Sequence, residues 1–303
     1  MPELPDIELY VIRLAERIVG QRLDKIRFYN PFVLRSVGVP LFDLQGKSVT
    51  AVSRLGKRII IELEDGRFIV IHLMIAGRFQ WTSPAPPLRK SMGKVLIASI
   101  IFENGQLDLT EMSTKKRASI HLLNSRIDLE EHRRDGLNVF TATAAEFQVR
   151  LQSENRTLKR MLTNPNAFDG IGNAYSDEIL FAAKLSPVRL TKALNPEEIS
   201  RLHQATRDTL DNWRKNLLDT YVGFPKPSDI TAFRKDFATH GKFKQPCPVC
   251  GSPIQRIVYA ENETNYCARC QNEGRLLADR SLSRLLKDDW PKTLEDMEEG
   301  TTK

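Results

Sequence analysis

All four cysteines of this chain fall within 24 residues, as Cys247-Pro-Val-Cys250 and Cys267-Ala-Arg-Cys270, with sixteen residues between the pairs. Two residues between thiolates let one tight turn aim both sulfurs at a single ion, and two such turns complete a tetrahedral Zn²⁺ site. A closed four-thiolate set leaves no coordination position for a substrate. The expected Zn²⁺, held by Cys247, Cys250, Cys267 and Cys270, is therefore structural. Its work is to hold together a hairpin too small to fold alone, for which the β-prone GSPIQRIVYAENETNY supplies the strands.

A second place where residue types could do chemistry is the start, MPELPDIELY. Removal of Met1 would leave Pro2 with a free secondary amine beside Glu3. The ordinary reading is helical: proline suits a first turn because its missing N–H is not needed there, and acidic residues suit the helix dipole.

These groups need elements to hold them. Apolar residues recur at Leu4, Ile7, Val11, Leu14 and Ile18, a helical period closed by Gly20. Two pairs of β-rich runs follow, KRIIIELEDGRFIVIHLMIAGRFQW turning at Asp65–Gly66 and KVLIASIIFENGQLDLTEM turning at Asn104–Gly105. SPAPPLRKSMGK between them is expected to be a surface loop. The polar EHRRDGLNVF reads as a linker, and beyond it a helical period dominates, punctuated by Pro165, Pro187 and Pro196. The expected class is α+β and multidomain. Residues 1–134 form a helix plus an antiparallel β-sandwich, 138–232 a helical domain, 240–286 the zinc hairpin and 287–303 an acidic tail.

Composition narrows the partner. The chain of 303 residues carries +7, but six carboxylates and two lysines from Asp288 onward leave +11 on the residues before it. A basic body favours a polyanion, nucleic acid first. No apolar run approaches the roughly 18 to 20 residues a membrane span needs, and Glu3 and Asp6 stand where an export signal has positive charge. The expectation is a cytoplasmic monomer with no membrane partner.

The Pro–Glu start, FDGIGNAYSDEIL in the helical region and the four-cysteine hairpin together resemble the formamidopyrimidine-DNA glycosylase and endonuclease VIII family of base-excision repair enzymes. The opening PELPDIE is closer to the formamidopyrimidine branch. The resemblance runs from Pro2 to about Leu286 and implies a β-sandwich, a helix-two-turn-helix module and a zinc hairpin, acting on damaged DNA. It implies glycosylase and abasic-site lyase activity on oxidised or ring-opened purines. The alternatives are a non-catalytic zinc-stabilised binder of damaged DNA and a lyase that excises no base.

By the same resemblance Pro2 is the nucleophile. A terminal amine titrates near 8, against about 10.4 for lysine, so far more of it is neutral at pH 7. Glu3 is implied as general acid–base, and Asp6 matches a family glutamate with a shorter reach. Lys57 in RLGKRI matches a lysine that contacts phosphate and assists elimination. His72, Lys159 and Asn173 match further DNA contacts. Gly170 and Gly172 permit a tight turn before a helix N-terminus, a natural phosphate site that Asn173 would cap. Without the resemblance Lys159 would read as a helix-surface lysine and His72 as a core histidine.

The resemblance fails at the lesion-reading end. Asn262 stands where the family's hairpin has an arginine, with Arg256 as a nearby substitute. The loop expected to supply an Arg–Phe wedge reads STKKRASI, with Lys115, Lys116 and Arg117 and no aromatic. HLMI leaves Met74 or Ile75 as the apolar plug. The connector GFPKPSDITAFRKDFATHGKFKQ also lacks the look of an oxidised-purine recognition loop.

Overall fold

A computed structural model describes residues 1–86, 95–259, 262–278 and 291–300. Residues 87–94 of the expected surface loop, the hairpin residues 260–261, residues 279–286 and Asp288, Asp289 and Lys303 of the acidic run lie outside them. The chain divides into two compact units, Met1–Arg134 with Trp213–Ala232, and Asp135–Asn212 with Phe233–Lys303.

In the first unit, helix α1 (Leu4–Ile18) buries Leu4, Ile7, Leu14 and Ile18 completely. Gly20, at φ 80°, makes the left-handed turn that ends it. Glu3 is its N-cap and Pro5 sits in the first turn. The helical reading of Pro2 is thus taken by Pro5, three residues later, and Pro2 lies ahead of the cap.

Eight strands follow: β1 (Leu23–Phe28), β2 (Val49–Leu55), β3 (Arg58–Leu63), β4 (Phe68–His72), β5 (Gly77–Thr82), β6 (Leu96–Phe102), β7 (Gly105–Glu111) and β8 (Ser119–Leu123). They form two antiparallel sheets, ordered β1-β6-β7-β5 and β2-β3-β4-β8. Ile59, Ile61, Ile69, Ile71, Ile120 and Leu122 of one sheet share a core with Ile26, Phe79, Ile100, Leu107 and Leu109 of the other. The alternate residues Ile60, Phe68, Val70 and Leu123 pack outward against Leu129 of the short helix α2 (Arg126–Glu131). A sheet covered on both faces explains why RIIIEL is an unbroken apolar run rather than an alternating one.

The second hairpin turns one residue earlier than its Asn–Gly pair suggests. Phe102 pairs with Gly105, so Glu103 and Asn104 are the central residues. Gly105 is there for packing: a Cβ would lie 2.4 Å from the Trp81 ring.

The second unit contains α3 (Ala144–Gln152), α4 (Leu158–Leu162), α5 (Asn173–Ala182) and the start of α6 (Pro196–Thr220). The hairpin β9 (Gln255–Tyr259) and β10 (Asn262–Tyr266), then α7 (Ala268–Asn272) and α8 (Leu294–Gly300), complete it. The expected helical domain ran to 232, but residues 213–232 pack with the first unit. Leu217 and Ile230 enter its core, Arg13 donates to the carbonyls of Leu218 and Tyr221, and Arg78 donates to that of Ile230. Nor is the acidic run wholly a tail: Leu294 of α8 is buried with Tyr266 and Ala268.

Candidate active site and metal centre

The chain start in the first unit is enclosed. Pro2 is buried, and Glu3 and Asp6 are 3% and 2% exposed. The Glu3 backbone N–H donates to Asp6 Oδ2 at 2.9 Å, so the shorter carboxylate still closes the first turn. The terminal amine of Met1 is held below the ordinary value for such a group, chiefly by burial. The Glu3 carboxylate opposes that shift and the Arg78 guanidinium adds to it, followed by smaller opposing effects of Asp6 and Lys57. An amine at this end of the chain is therefore desolvated and set among two carboxylates and two cations.

Lys57 stands with Gly56 in a two-residue turn between β2 and β3, where Leu55 pairs with Arg58. Gly56 takes φ 63°, the sign that such a turn needs at its first central position. His72 ends β4 directly across from Arg58. Its Nδ1 accepts the Met74 N–H at 3.0 Å, which leaves the proton on Nε2. Burial first, then the charges of Arg58 and Lys57, lower its pKa to about 4. His72 is a neutral N–H donor at pH 7. Beyond it the chain turns sharply, with Met74 at φ 52° and Gly77 N–H bonded to Leu73 O at 2.9 Å. A Cβ on Gly77 would meet that carbonyl at 2.3 Å. Ile75 is 52% exposed on this turn, while Met74 is partly covered.

The basic loop after β7 has an organiser that sequence reading missed. Glu111 is 1% exposed, and its carboxylate accepts the backbone N–H groups of Arg117 and Ala118 at 3.0 and 3.1 Å. Its carbonyl accepts Lys116 Nζ. Of the three cationic residues, Lys115 and Arg117 are exposed and Lys116 is turned back.

In the second unit Lys159 is not a surface lysine. Its Nζ donates to Asn173 O and to Asp177 Oδ1, both at 2.6 Å, and its side chain is 11% exposed. Asp177 also takes His240 Nδ1 at 2.7 Å and the Asn265 N–H at 3.1 Å. The next carboxylate, Glu178, accepts the N–H groups of Ala238, Thr239 and His240 and the Thr239 hydroxyl, at 2.7 to 3.0 Å. The signal for both acids was two adjacent charges inside the apolar AYSDEILFAA, a pattern that implies buried, partnered carboxylates.

Asn173 begins α5 but does not cap it; Gly172 is the N-cap. Gly170 makes the turn before it, at φ 77°. The Asn173 side-chain amide instead donates to Glu263 O on β10, at 3.0 Å. Arg256 lies on β9 with its guanidinium 4.3 Å from the centre of the Phe243 ring and 3.6 Å from Glu263 Oε2. Asn262 is exposed at the first position of β10.

The Sγ atoms of Cys247, Cys250, Cys267 and Cys270 all lie within 4.8 Å of one another. The pairs Cys247–Cys270 and Cys250–Cys267 are 3.9 and 3.4 Å apart. Tetrahedral zinc with ~2.3 Å bonds needs sulfurs about 3.8 Å apart, so the four thiolates fit one Zn²⁺. The ion's contribution is structural: it joins the ends of the hairpin. Around it, Gln271 accepts the Cys267 N–H and donates to Leu185 O, which ties the second cysteine pair to the end of α5.

The family model described as the formamidopyrimidine-DNA glycosylase N-terminal domain matches residues 1–111, the H2TH domain of the same enzymes matches 137–213, and a zinc finger found in FPG and IleRS matches 244–272. The chain belongs to the formamidopyrimidine-DNA glycosylase family. It is 30% identical over 279 residues to the formamidopyrimidine-DNA glycosylase of Thermus thermophilus, covering 90% of this chain and 100% of that one. The same enzyme from Carboxydothermus hydrogenoformans is 28% identical, over 89% of this chain and 100% of its own. Among solved structures, a complex of Lactococcus lactis Fpg with DNA containing an abasic site has a TM-score of 0.76 at 25% identity, covering 89% of this chain and 99% of that chain. MutM in complex with DNA containing carbocyclic 8-oxo-G has the same TM-score and identity, covering 89% and 100%.

Proposed function

We propose that this chain is a base-excision repair glycosylase with abasic-site lyase activity, acting on damaged DNA and removing oxidised or ring-opened purines. The observation that carries the reading is the enclosed chain start, with Glu3 and Asp6 buried beside the terminal amine, in a chain that matches all three family modules.

With Met1 removed, the Pro2 nitrogen is a secondary amine at the place where burial favours its neutral, nucleophilic form. Its lone pair attacks C1′ of the damaged nucleoside while the C1′–base bond breaks, and the base leaves with its electron pair and takes up the proton that the Pro2 nitrogen sheds. Glu3 protonates the sugar ring oxygen as the ring opens to a cationic iminium. That cation acidifies the C2′ protons; the Glu3 carboxylate, having given its proton to the ring oxygen, accepts one as the C2′–H electron pair expels the 3′ phosphate. Lys57 and His72 serve as hydrogen-bond donors to phosphate on the first unit, one charged and one neutral. Asn173, steadied by Lys159, and Arg256 serve on the second.

The test is borohydride trapping on an abasic duplex. Trapping of the wild type, with none for Pro2→Gly, supports the nucleophile. Duplex binding by both proteins without any trapping replaces this reading with a non-catalytic binder. A second reading, a lyase that excises no base, draws on the absence of an aromatic residue from 112–118, since base extrusion costs a few kcal/mol that a wedge helps to offset. A panel of lesion duplexes scored for both base release and strand scission separates the two.

A further inference from the structure

One end of the β2-β3-β4-β8 sheet gathers Arg58, Arg134 and two histidines, with Glu131 and Asp128 as smaller opposing charges near His132. Arg58, His72 and Ser119 are directly opposed across β3, β4 and β8, so they share a face. His121, two residues on from Ser119, lies on that face too. The His132 ring meets the His121 ring edge-on, with centroids 4.8 Å apart, and its carbonyl accepts Arg58 Nη1 at 3.2 Å. Arg134 follows two residues later.

The other end of the same face is neutralised: Arg126 pairs with Glu62 at 2.9 Å. Among the described residues neither Arg58 nor Arg134 has a carboxylate within 4.0 Å, and burial, then the Arg134 charge, lower the Arg58 pKa. Burial, foremost, lowers the pKa of both His121 and His132, so at pH 7 they are N–H donors rather than added cations. Arg58, the adjoining imidazoles of His121 and His132, and Arg134, whose charge acts on both Arg58 and His72, together offer N–H donors suited to an oxyanion with several acceptor oxygens.

We propose that Arg58, His121, His132 and Arg134 form a second anion subsite, beside Lys57 and His72, that takes a backbone phosphate of bound DNA. The proposal rests on the DNA reading above and extends the strand's footprint by one phosphate along the outer face of the sheet. The position of His132 and Arg134 after α2 makes that helix's placement part of the subsite.

The experiment uses the full chain with its zinc and duplexes carrying a tetrahydrofuran abasic analogue. One series has a single neutral methylphosphonate at successive linkages. Arg134→Gln decides, because Arg134 holds no hydrogen bond among the described residues that folding would lose. The wild type should weaken at more than one linkage. Arg134→Gln should bind more weakly, with the slope of log affinity against log salt shallower by about 1, and become indifferent to neutralisation at one of those linkages. Arg58→Gln should lose sensitivity at the same linkage. An unchanged slope and an unchanged linkage profile, or uniform weakening with no linkage singled out, overturn the subsite and leave the DNA reading standing. A wild-type protein that holds no duplex overturns both.

Discussion

Lys159 Nζ rests 2.6 Å from Asp177 Oδ1, and the carboxylate it faces has no exposure at all. The pair joins α4 to α5, and through the other Asp177 oxygen it reaches His240 and β10. The lysine also holds the carbonyl of Asn173, the first residue of α5. Removing one member of such a pair strands a buried charge, which costs far more than the intact pair gains.

Asp177→Asn should therefore destabilise the protein by about 3–5 kcal/mol. Lys159→Met in the Asp177→Asn background should cost much less than the sum of the two single changes. Urea unfolding followed by far-UV circular dichroism checks both; strict additivity would show that the pair is not coupled.

Glu3→Gln removes the proposed acid–base while keeping the size of the side chain. Single-turnover excision should fall by about 10²- to 10⁴-fold, while affinity for a tetrahydrofuran duplex stays near that of the wild type. A loss in affinity matching the loss in rate would instead assign Glu3 to binding.

Acidification should act on the first unit through His72. Its folded pKa of about 4 lies below the usual 6.5, so between those values the unfolded chain binds the proton that the folded chain refuses. The contribution is fully present above pH 6.5 and is lost as pH falls toward 4. His121 and His132 act in the same direction. His72→Asn, whose amide oxygen can still accept the Met74 N–H, should flatten the fall of Tm between pH 7 and pH 4.5. A profile parallel to that of the wild type would refute this.

Gly105→Ala places a methyl 2.4 Å from the Trp81 ring, on a strand held from both sides. Overpacking of this kind costs about 1–3 kcal/mol. Thermal melting monitored by tryptophan fluorescence reads both the stability and the displaced ring.

The protein should carry one zinc per chain, and metal analysis should return that ratio. Cys270→Ala should lose the ion. Hydrogen exchange would then rise across residues 244–259 and 262–278, while the β-sandwich strands keep their protection.

What could be read in the sequence follows from the range of each interaction. The α1 period and the cysteine spacing are local patterns that formed where they stood, whereas the run after Asp65–Gly66, read as one, breaks after His72 into β4 and β5. Gly105 looked like a turn residue because Asn–Gly pairs usually are, but its reason is a tryptophan 24 positions away. Lys159 looked exposed because its partner is 18 residues further on. Asn173 looked like a cap because nothing in its neighbourhood announces an acceptor 90 residues ahead. Glu111 had no local mark, since the amides it gathers are backbone. Site chemistry set by distant backbone groups is invisible until the chain has folded.

Glu178 gathers four donors from residues 238–240, just before the zinc hairpin. That stretch is a strap, fastened along its length to a buried helix. Residues 238–240 have spent their conformational freedom during folding, so none is left to lose in any later step. Replacing Glu178 would return that freedom to the strap and leave three backbone N–H groups and one hydroxyl to find other acceptors.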